Sequence, residues 1–81
     1  MEGGVNSALT VYVADFESSL IRKITAAGVV TTLAGSGAAG STNGTGTAAS
    51  FNGPISVAVD TSGNVYVADK KNKLIRKISP Q

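Results

Sequence analysis

An internal repeat constrains the fold of this 81-residue chain more than any other feature of its sequence. The segment Val-Tyr-Val-Ala-Asp occurs at residues 11–15 and 65–69, and Leu-Ile-Arg-Lys-Ile occurs at 20–24 and 74–78, both at an offset of 54. Over the two copies ten of fourteen positions are identical, and the four that differ lie together between the two segments. Differences confined to one connector are typical of an exposed turn, so each copy is predicted to contain a β-hairpin.

The composition agrees with strands and turns. The chain has 10 Gly, one Met and 15% charged residues, with many Val, Thr and Ser, which favours an all-β fold. Residues 55–59 alternate, with Ile55, Val57 and Val59 on one face, and 60–64 form a tight turn in which Asp60 bonds the turn amides. Each repeat unit is therefore predicted to contain four short strands, as one propeller blade does. We name them A (55–59), B (65–68), C (74–79) and D (29–34). Strand B is apolar on both faces, so it is predicted to be buried on both sides.

Several motifs taken together resemble NHL-repeat β-propellers of the long-loop bacterial type. They are Gly-Thr-Ala-Ala-Ser-Phe-Asn-Gly-Pro (46–54), Gly-Asn-Val-Tyr-Val-Ala-Asp (63–69), Ile-Arg-Lys-Ile (75–78) and the run that begins Gly-Val-Val-Thr-Thr-Leu (28–37). The resemblance covers nearly all of residues 9–80. It implies a rigid interaction platform that binds protein, glycan or RNA, without choosing among them.

The chain is therefore predicted to hold about one and a half antiparallel blades. Residues 5–34 form a partial blade (strands B-C-D), residues 35–54 a Gly/Ser/Thr-rich inter-blade loop, and residues 55–81 a second partial blade (strands A-B-C). No A strand is expected before Val11, because the first residues align poorly with 56–64.

Incomplete blades leave unpaired edges, and such edges invite pairing with another chain. We expect the assembly edges at two sets of residues: Val11, Tyr12 and Val13, and Leu74, Ile75 and Ile78. Because these edges differ, the contact is heterologous and gives a closed ring or an open filament. Three chains would supply six blade-like sheets. The predicted fold is thus an incomplete propeller completed by oligomerisation.

A literal G-x-G-x-x-G fingerprint at Gly35, Gly37 and Gly40 raises the alternative of a dinucleotide site. Such a site needs a helix after the glycines, and the residues up to Ser50 have no helical periodicity. Asp60 lies twenty residues beyond Gly40, yet it is better explained as a turn residue. No cofactor is therefore expected, and the glycines are assigned to the crossover between blades, with Phe51 packing the loop against the core.

The sequence contains few residues that could support catalysis, metal binding or nucleic-acid binding. There is no His or Cys, so no catalytic residue and no enzymatic activity are expected. Asp15 and Asp69 recur, but a calcium loop needs more oxygen ligands; no metal is expected, and both carboxylates are predicted to bond amides of the B–C hairpin. No aromatic residue lies among the cations of residues 70–77, which argues against nucleic-acid binding.

Asn43 lies in an N-glycosylation sequon, Asn-Gly-Thr, and is a possible glycosylation site. Its use would require a setting outside the cytoplasm, so the sequon favours an extracellular or cell-surface location. No apolar run is long enough for a membrane span. The function expected is a non-enzymatic, self-assembling scaffold built from copies of the chain. The alternatives are a binding module for protein, glycan or nucleic acid, and an engineered or truncated fragment of a larger propeller.

Overall fold

The computed structural model describes residues 3–5, through their backbone alone, and residues 10–80. Its elements are seven strands: β1 (Gly3–Val5), β2 (Val11–Asp15), β3 (Leu20–Ile24), β4 (Val30–Ala34), β5 (Pro54–Val59), β6 (Val65–Asp69) and β7 (Leu74–Ile78). Within the described ranges the helical elements are two three-residue 3-10 helices, Gly46–Ala48 and Lys70–Asn72. The predicted all-β fold is confirmed.

The strands form two antiparallel sheets, ordered β1-β2-β3-β4 and β5-β6-β7. We call them blade 1 and blade 2. The repeated hairpins have the same register, because Val13 pairs with Arg22 in blade 1 as Val67 pairs with Arg76 in blade 2. Their turns also match, since Ser19 and its counterpart Lys73 both adopt left-handed φ angles, of 53° and 58°.

Blade 1 has the A strand that the sequence prediction denied it. In β1, Gly3 pairs with Val13 and Val5 pairs with Val11, the same register in which β5 pairs with β6. The expectation that residues 5–34 hold strands B-C-D alone is therefore wrong. Gly3–Val5 has a single β-branched residue and so no alternating pattern. Its place in the sheet is instead specified by backbone pairing to β2.

The predicted assembly edges fare differently. The edge at Val11, Tyr12 and Val13 is not open, because β1 pairs with all three residues. The other predicted edge lies on β7, the last strand of blade 2 in the described part of the chain. There Leu74 and Ile75 are exposed, while Ile78 is half-buried.

The two blades pack face to face around one apolar core. β1 and β2 lie against β5, so equivalent residues of the two blades have different surroundings. Ile21 is 0% exposed and Ile75 is 75% exposed; Tyr12 is 8% exposed and Tyr66 is 38% exposed. Strand B of blade 2 is therefore buried on the Val65 and Val67 side, while Tyr66 on the opposite face is exposed. The prediction of burial on both sides is wrong, because among the described residues no other blade packs on the Tyr66 face. The buried core residues are Tyr12, Ala14, Ile21, Ala34, Ala49, Phe51, Val57, Val65 and Val67.

One local prediction about β5 also fails. Ile55 does not share a face with Val57, because the register shifts between Pro54 and Ser56. This bulge leaves Ile55 exposed while Val57 is buried. A single extra residue in a strand reverses the face of the side chains before it.

Candidate functional site

The inter-blade loop, residues 35–53, folds back on itself through its own backbone. Gly40 N–H donates to Phe51 O at 3.1 Å, and Ser50 N–H donates to Thr42 O at 2.9 Å. A Cβ atom at Gly40 would lie 2.6 Å from Ser50 Oγ, and one at Gly35, which has φ +106°, would lie 2.9 Å from a backbone oxygen. These glycines of the G-x-G-x-x-G match thus allow close chain packing, and no helix follows them before Thr45.

The guanidinium of Arg76 joins this loop to blade 2. Its Nη1 donates to Asp69 Oδ2 and to Ser50 O, both at 2.9 Å. Its Nη2 donates to Thr42 O and to Asn43 Oδ1, both at 3.0 Å. The Asp69 side chain is fully buried and that of Arg76 is 8% exposed. We call Asp69, Arg76 and the loop atoms that they bind the inter-blade clasp.

The other partners of Asp69 differ from those that the sequence predicts. Its Oδ1 accepts from the backbone N–H of Asn52 at 2.8 Å, and its Oδ2 accepts from Asn72 Nδ2 at 2.6 Å. The backbone amide that it binds is therefore in the inter-blade loop, not in the B–C hairpin. Phe51 completes the clasp, since the centroid of its buried ring lies 4.7 Å from the Arg76 guanidinium carbon. This is the core-packing role that the sequence predicted for Phe51.

Blade 1 has the same acid and base in looser surroundings. Arg22 Nε lies 3.5 Å from Asp15 Oδ2, and the two side chains are 36% and 23% exposed. Arg22 Nη1 also donates to Thr32 Oγ1 at 2.7 Å. We call Asp15 and Arg22 the blade 1 pair. Among the described residues, no loop binds this pair as the inter-blade loop binds the clasp.

The A–B turn of blade 2 is organised by Asp60, as predicted. Asp60 Oδ1 accepts from the N–H groups of Ser62 and Asn64, each at 2.9 Å. Its Oδ2 accepts from Asn64 Nδ2 at 2.9 Å and from Tyr66 Oη at 3.1 Å. The Asn64 side-chain hydrogen bond is the main cause that lowers the pKa of Asp60 below its ordinary 3.8. The hydrogen bond to Asp60 in turn raises the pKa of Tyr66 above 10.0. The partners of Asp60 thus show that its carboxylate stabilises the A–B turn.

An open groove of about 720 Å³ lies between the blades, near Gly63 and the end of β7. Lys23 is its one ionisable amine among the lining residues, and the groove is otherwise rich in hydroxyl groups. Hydroxyls act as both donors and acceptors, so this surface suits an uncharged polar or anionic ligand. We call it the hydroxyl groove. Its hydroxyl-bearing residues are Tyr12, Thr31, Thr32, Thr45, Thr47 and Ser79.

The remaining candidate residues are dispersed. In the part of the chain that the structure describes, no three His, Cys, Asp or Glu residues lie together as a metal site would require. Asn43, the possible glycosylation site, is exposed, and its side-chain oxygen accepts from Arg76. No helix in that part is long and apolar enough to cross a bilayer.

Comparison with known proteins supports the propeller assignment. The sequence profile of the NHL repeat matches residues 51–78. These residues comprise blade 2 and the end of the inter-blade loop. None of the curated proteins matches the chain. The chain thus carries an NHL repeat, and the resemblance to NHL-repeat β-propellers is confirmed.

Solved structures extend the similarity to both blades. A Bacteroides thetaiotaomicron protein of unknown function is 32% identical (TM-score 0.88), with 94% of this chain and 20% of that chain covered. A Bacteroides ovatus protein described as an auxiliary nutrient binding protein is 36% identical (TM-score 0.80), with coverage of 89% and 18%. A second B. thetaiotaomicron protein, described as a candidate phosphatase, is 26% identical (TM-score 0.82), with coverage of 98% and 21%. The chain spans about a fifth of the length of these structures.

Proposed function

We propose that this pair of NHL-type blades is a non-enzymatic binding module that holds a polar ligand in the hydroxyl groove. The groove itself carries the proposal, because it places several hydroxyls and the Lys23 amine around one open space between the two sheets. Pockets between packed elements, with a few convergent polar groups, are the usual setting of ligand sites. The similarity to an auxiliary nutrient binding protein supports the same function.

Carbohydrates are the first probe to use, because their hydroxyls match a surface of donors and acceptors. We expect a panel of neutral and uronic-acid oligosaccharides to shift the amide NMR signals of Thr31 and Thr47. The double variant Thr31→Val/Thr47→Val, which keeps the side-chain shape but removes both hydroxyls, should weaken binding about tenfold, the effect of one to two lost hydrogen bonds. Thr61→Val, on the exposed A–B turn outside the groove, is the matched control. Absence of any shift, or equal affinity for the double variant, would overturn the groove assignment.

The non-enzymatic part has its own test, prompted by the similarity to a candidate phosphatase. We expect no hydrolysis of p-nitrophenyl phosphate, with or without added Mg²⁺ or Zn²⁺. Turnover that disappears in a Lys23→Met variant would contradict the proposal, since Lys23 is the cation of the groove.

Self-assembly is the second candidate function, and the unequal burial of the two blades favours it. The blade 1 face that carries Ile21 is covered by blade 2, whereas the equivalent face of blade 2 leaves Ile75 and Tyr66 exposed. Tyr66 and Ile75 would pack on the Val11 and Val13 side of blade 1 in another copy. Within the chain, the equivalent residues Tyr12 and Ile21 of blade 1 pack in the same way on the Val65 and Val67 side of blade 2. The contact is heterologous, so it closes into a ring or extends as a filament.

Light scattering after size-exclusion chromatography tests this assembly. We expect particles larger than the 8.1 kDa chain, and we expect Ile75→Lys to return them to monomers. Val29→Lys, which changes another exposed apolar side chain, in the turn before β4, should leave the particle size unchanged. A folded monomer at millimolar concentration would contradict self-assembly.

A further inference from the structure

We propose that the blade 1 pair, Asp15 and Arg22, is a docking site for the inter-blade loop of another NHL-type blade. The occupant is an extended Gly/Ser/Thr-rich segment followed by Phe, with the chemistry of residues 40–53. This surface meets the hydroxyl groove at Thr32, to which Arg22 donates. Asp15 and Arg22 themselves do not line the groove, so the inference goes beyond the proposed function.

The argument rests on two copies of one local structure. Arg22 and Arg76 occupy the same position in identical five-residue strands, and each lies opposite a Val of the identical partner strand. Asp15 and Asp69 end those partner strands in the same way. The backbone of blade 1 thus presents an acid and a base in the arrangement that, in blade 2, binds the inter-blade loop.

The two copies differ in what covers them. The Asp69 and Arg76 pair is closed, with a 2.9 Å contact and both side chains at least nine-tenths buried. The blade 1 pair is open, with a 3.5 Å contact and about a third of the Arg22 side chain exposed. The face of blade 1 that carries this pair is also incompletely covered, since Val13 is half-buried while its counterpart Val67 is buried.

The clasp shows which groups the occupant must supply. Arg76 donates to the backbone carbonyl oxygens of Thr42 and Ser50, and Asp69 accepts from the backbone N–H of Asn52. Phe51 places its ring against the guanidinium, a cation–π contact that strengthens when water is excluded. Arg22 has five N–H donors in a fixed fork, and its described partners are Asp15 and Thr32. A loop of the same composition would therefore complete the same set of bonds in blade 1.

The test is an NMR titration of the isotopically labelled protein with a synthetic peptide of residues 39–53. We expect the Arg22 Nε–Hε signal and the Val13 amide signal to shift, while the Arg76 Nε–Hε signal stays in place. Arg22→Ala should weaken binding at least about tenfold, as expected when a charged hydrogen-bond partner is lost. A peptide with Phe51→Ala should also bind more weakly. Lys70→Ala, which removes an exposed cation of blade 2, is the control and should bind as the wild type does.

Three results would overturn the proposal. The first is no shift at Val13 or Arg22 with millimolar peptide. The second is equal affinity for the Arg22→Ala variant. The third is a shift of Arg76 alone, which would show that the peptide merely competes with the loop of the same chain. Because the carbohydrate titration monitors Thr31 and Thr47, failure of the groove and failure of this docking site are distinguishable.

Discussion

At the scale of single residues, Arg22 and Arg76 show how far surroundings outweigh sequence. Their strands are identical, yet one guanidinium is partly in water and the other is enclosed by loop carbonyls and an aromatic ring. A buried charge depends on its partners, because water no longer solvates it. The two arginines therefore allow the contribution of the clasp to be measured with an internal control.

We expect Arg76→Ala to lower the free energy of unfolding by about 3–5 kcal/mol, because it leaves the fully buried Asp69 carboxylate without its cation. Arg22→Ala should lower it by about 0–1 kcal/mol, the range for exposed ion pairs. Urea denaturation followed by circular dichroism measures both changes. Equal losses in the two variants would contradict the structural difference between the clasp and the blade 1 pair.

Asp60 gives a pH dependence with a defined sign. Its pKa in the folded chain lies below 3.8, chiefly because Asn64 donates to it. A carboxyl group with a lowered folded pKa stabilises the fold above its unfolded pKa. This stabilisation is lost as the pH falls through the folded pKa. We therefore expect the stability difference between the wild type and Asp60→Asn to shrink on acidification below about pH 4. An NMR titration that places the Asp60 pKa at or above 3.8 would contradict this prediction.

At the scale of elements, equivalent strands of the two blades bury opposite faces. We expect Ile21→Ala in β3 to lower the free energy of unfolding by about 2–4 kcal/mol, since it opens a cavity in the core. Ile75→Ala, at the same position in β7, should change it by less than about 0.5 kcal/mol in dilute solution, where the side chain is in water. Thermal unfolding of the two variants at micromolar concentration measures the difference. A large loss for Ile75→Ala under those conditions would show that its face is already covered.

The elements also show what the sequence could predict. The repeated hairpins, the Asp60 turn and the buried Phe51 follow from local patterns, because alternation and turn chemistry act over a few residues. β1 could not be predicted, since Gly3–Val5 has no pattern of its own and pairs through its backbone. The clasp could not be predicted for a different reason. Arg76 meets Thr42 across 34 residues of chain, and no local pattern encodes such a contact.

At the scale of the whole molecule, two blades share one core, and among the described residues one face of each blade packs against no other blade. Blade 1 presents Val11, Val13 and the blade 1 pair, and blade 2 presents Tyr66 and Ile75. The solved structures that resemble the chain are about five times longer. The two blades therefore correspond to about a fifth of these larger structures.

The duplicated strands also give the folding chain a choice of partners. β2 can form the same hairpin with β7 as with β3, because β3 and β7 are identical in sequence. The native hairpin closes a loop of residues 16–19, whereas the exchanged hairpin closes residues 16–73. Loop-closure entropy disfavours the longer loop by about 2.4 kcal/mol, and this difference selects the native pairing within one molecule.

Between molecules that selection weakens, because a strand of a neighbouring chain closes no covalent loop. We expect refolding from urea to give native protein at micromolar concentration, and strand-exchanged dimers in growing proportion toward millimolar concentration. Chromatography of the refolded samples measures the proportion. The variant Leu74→Thr, which removes the identity of β7 with β3 at an exposed position, should reduce exchange without unfolding the native state. A yield independent of concentration would contradict this prediction. The sequence repeat that makes the two blades alike therefore makes correct strand pairing depend on protein concentration.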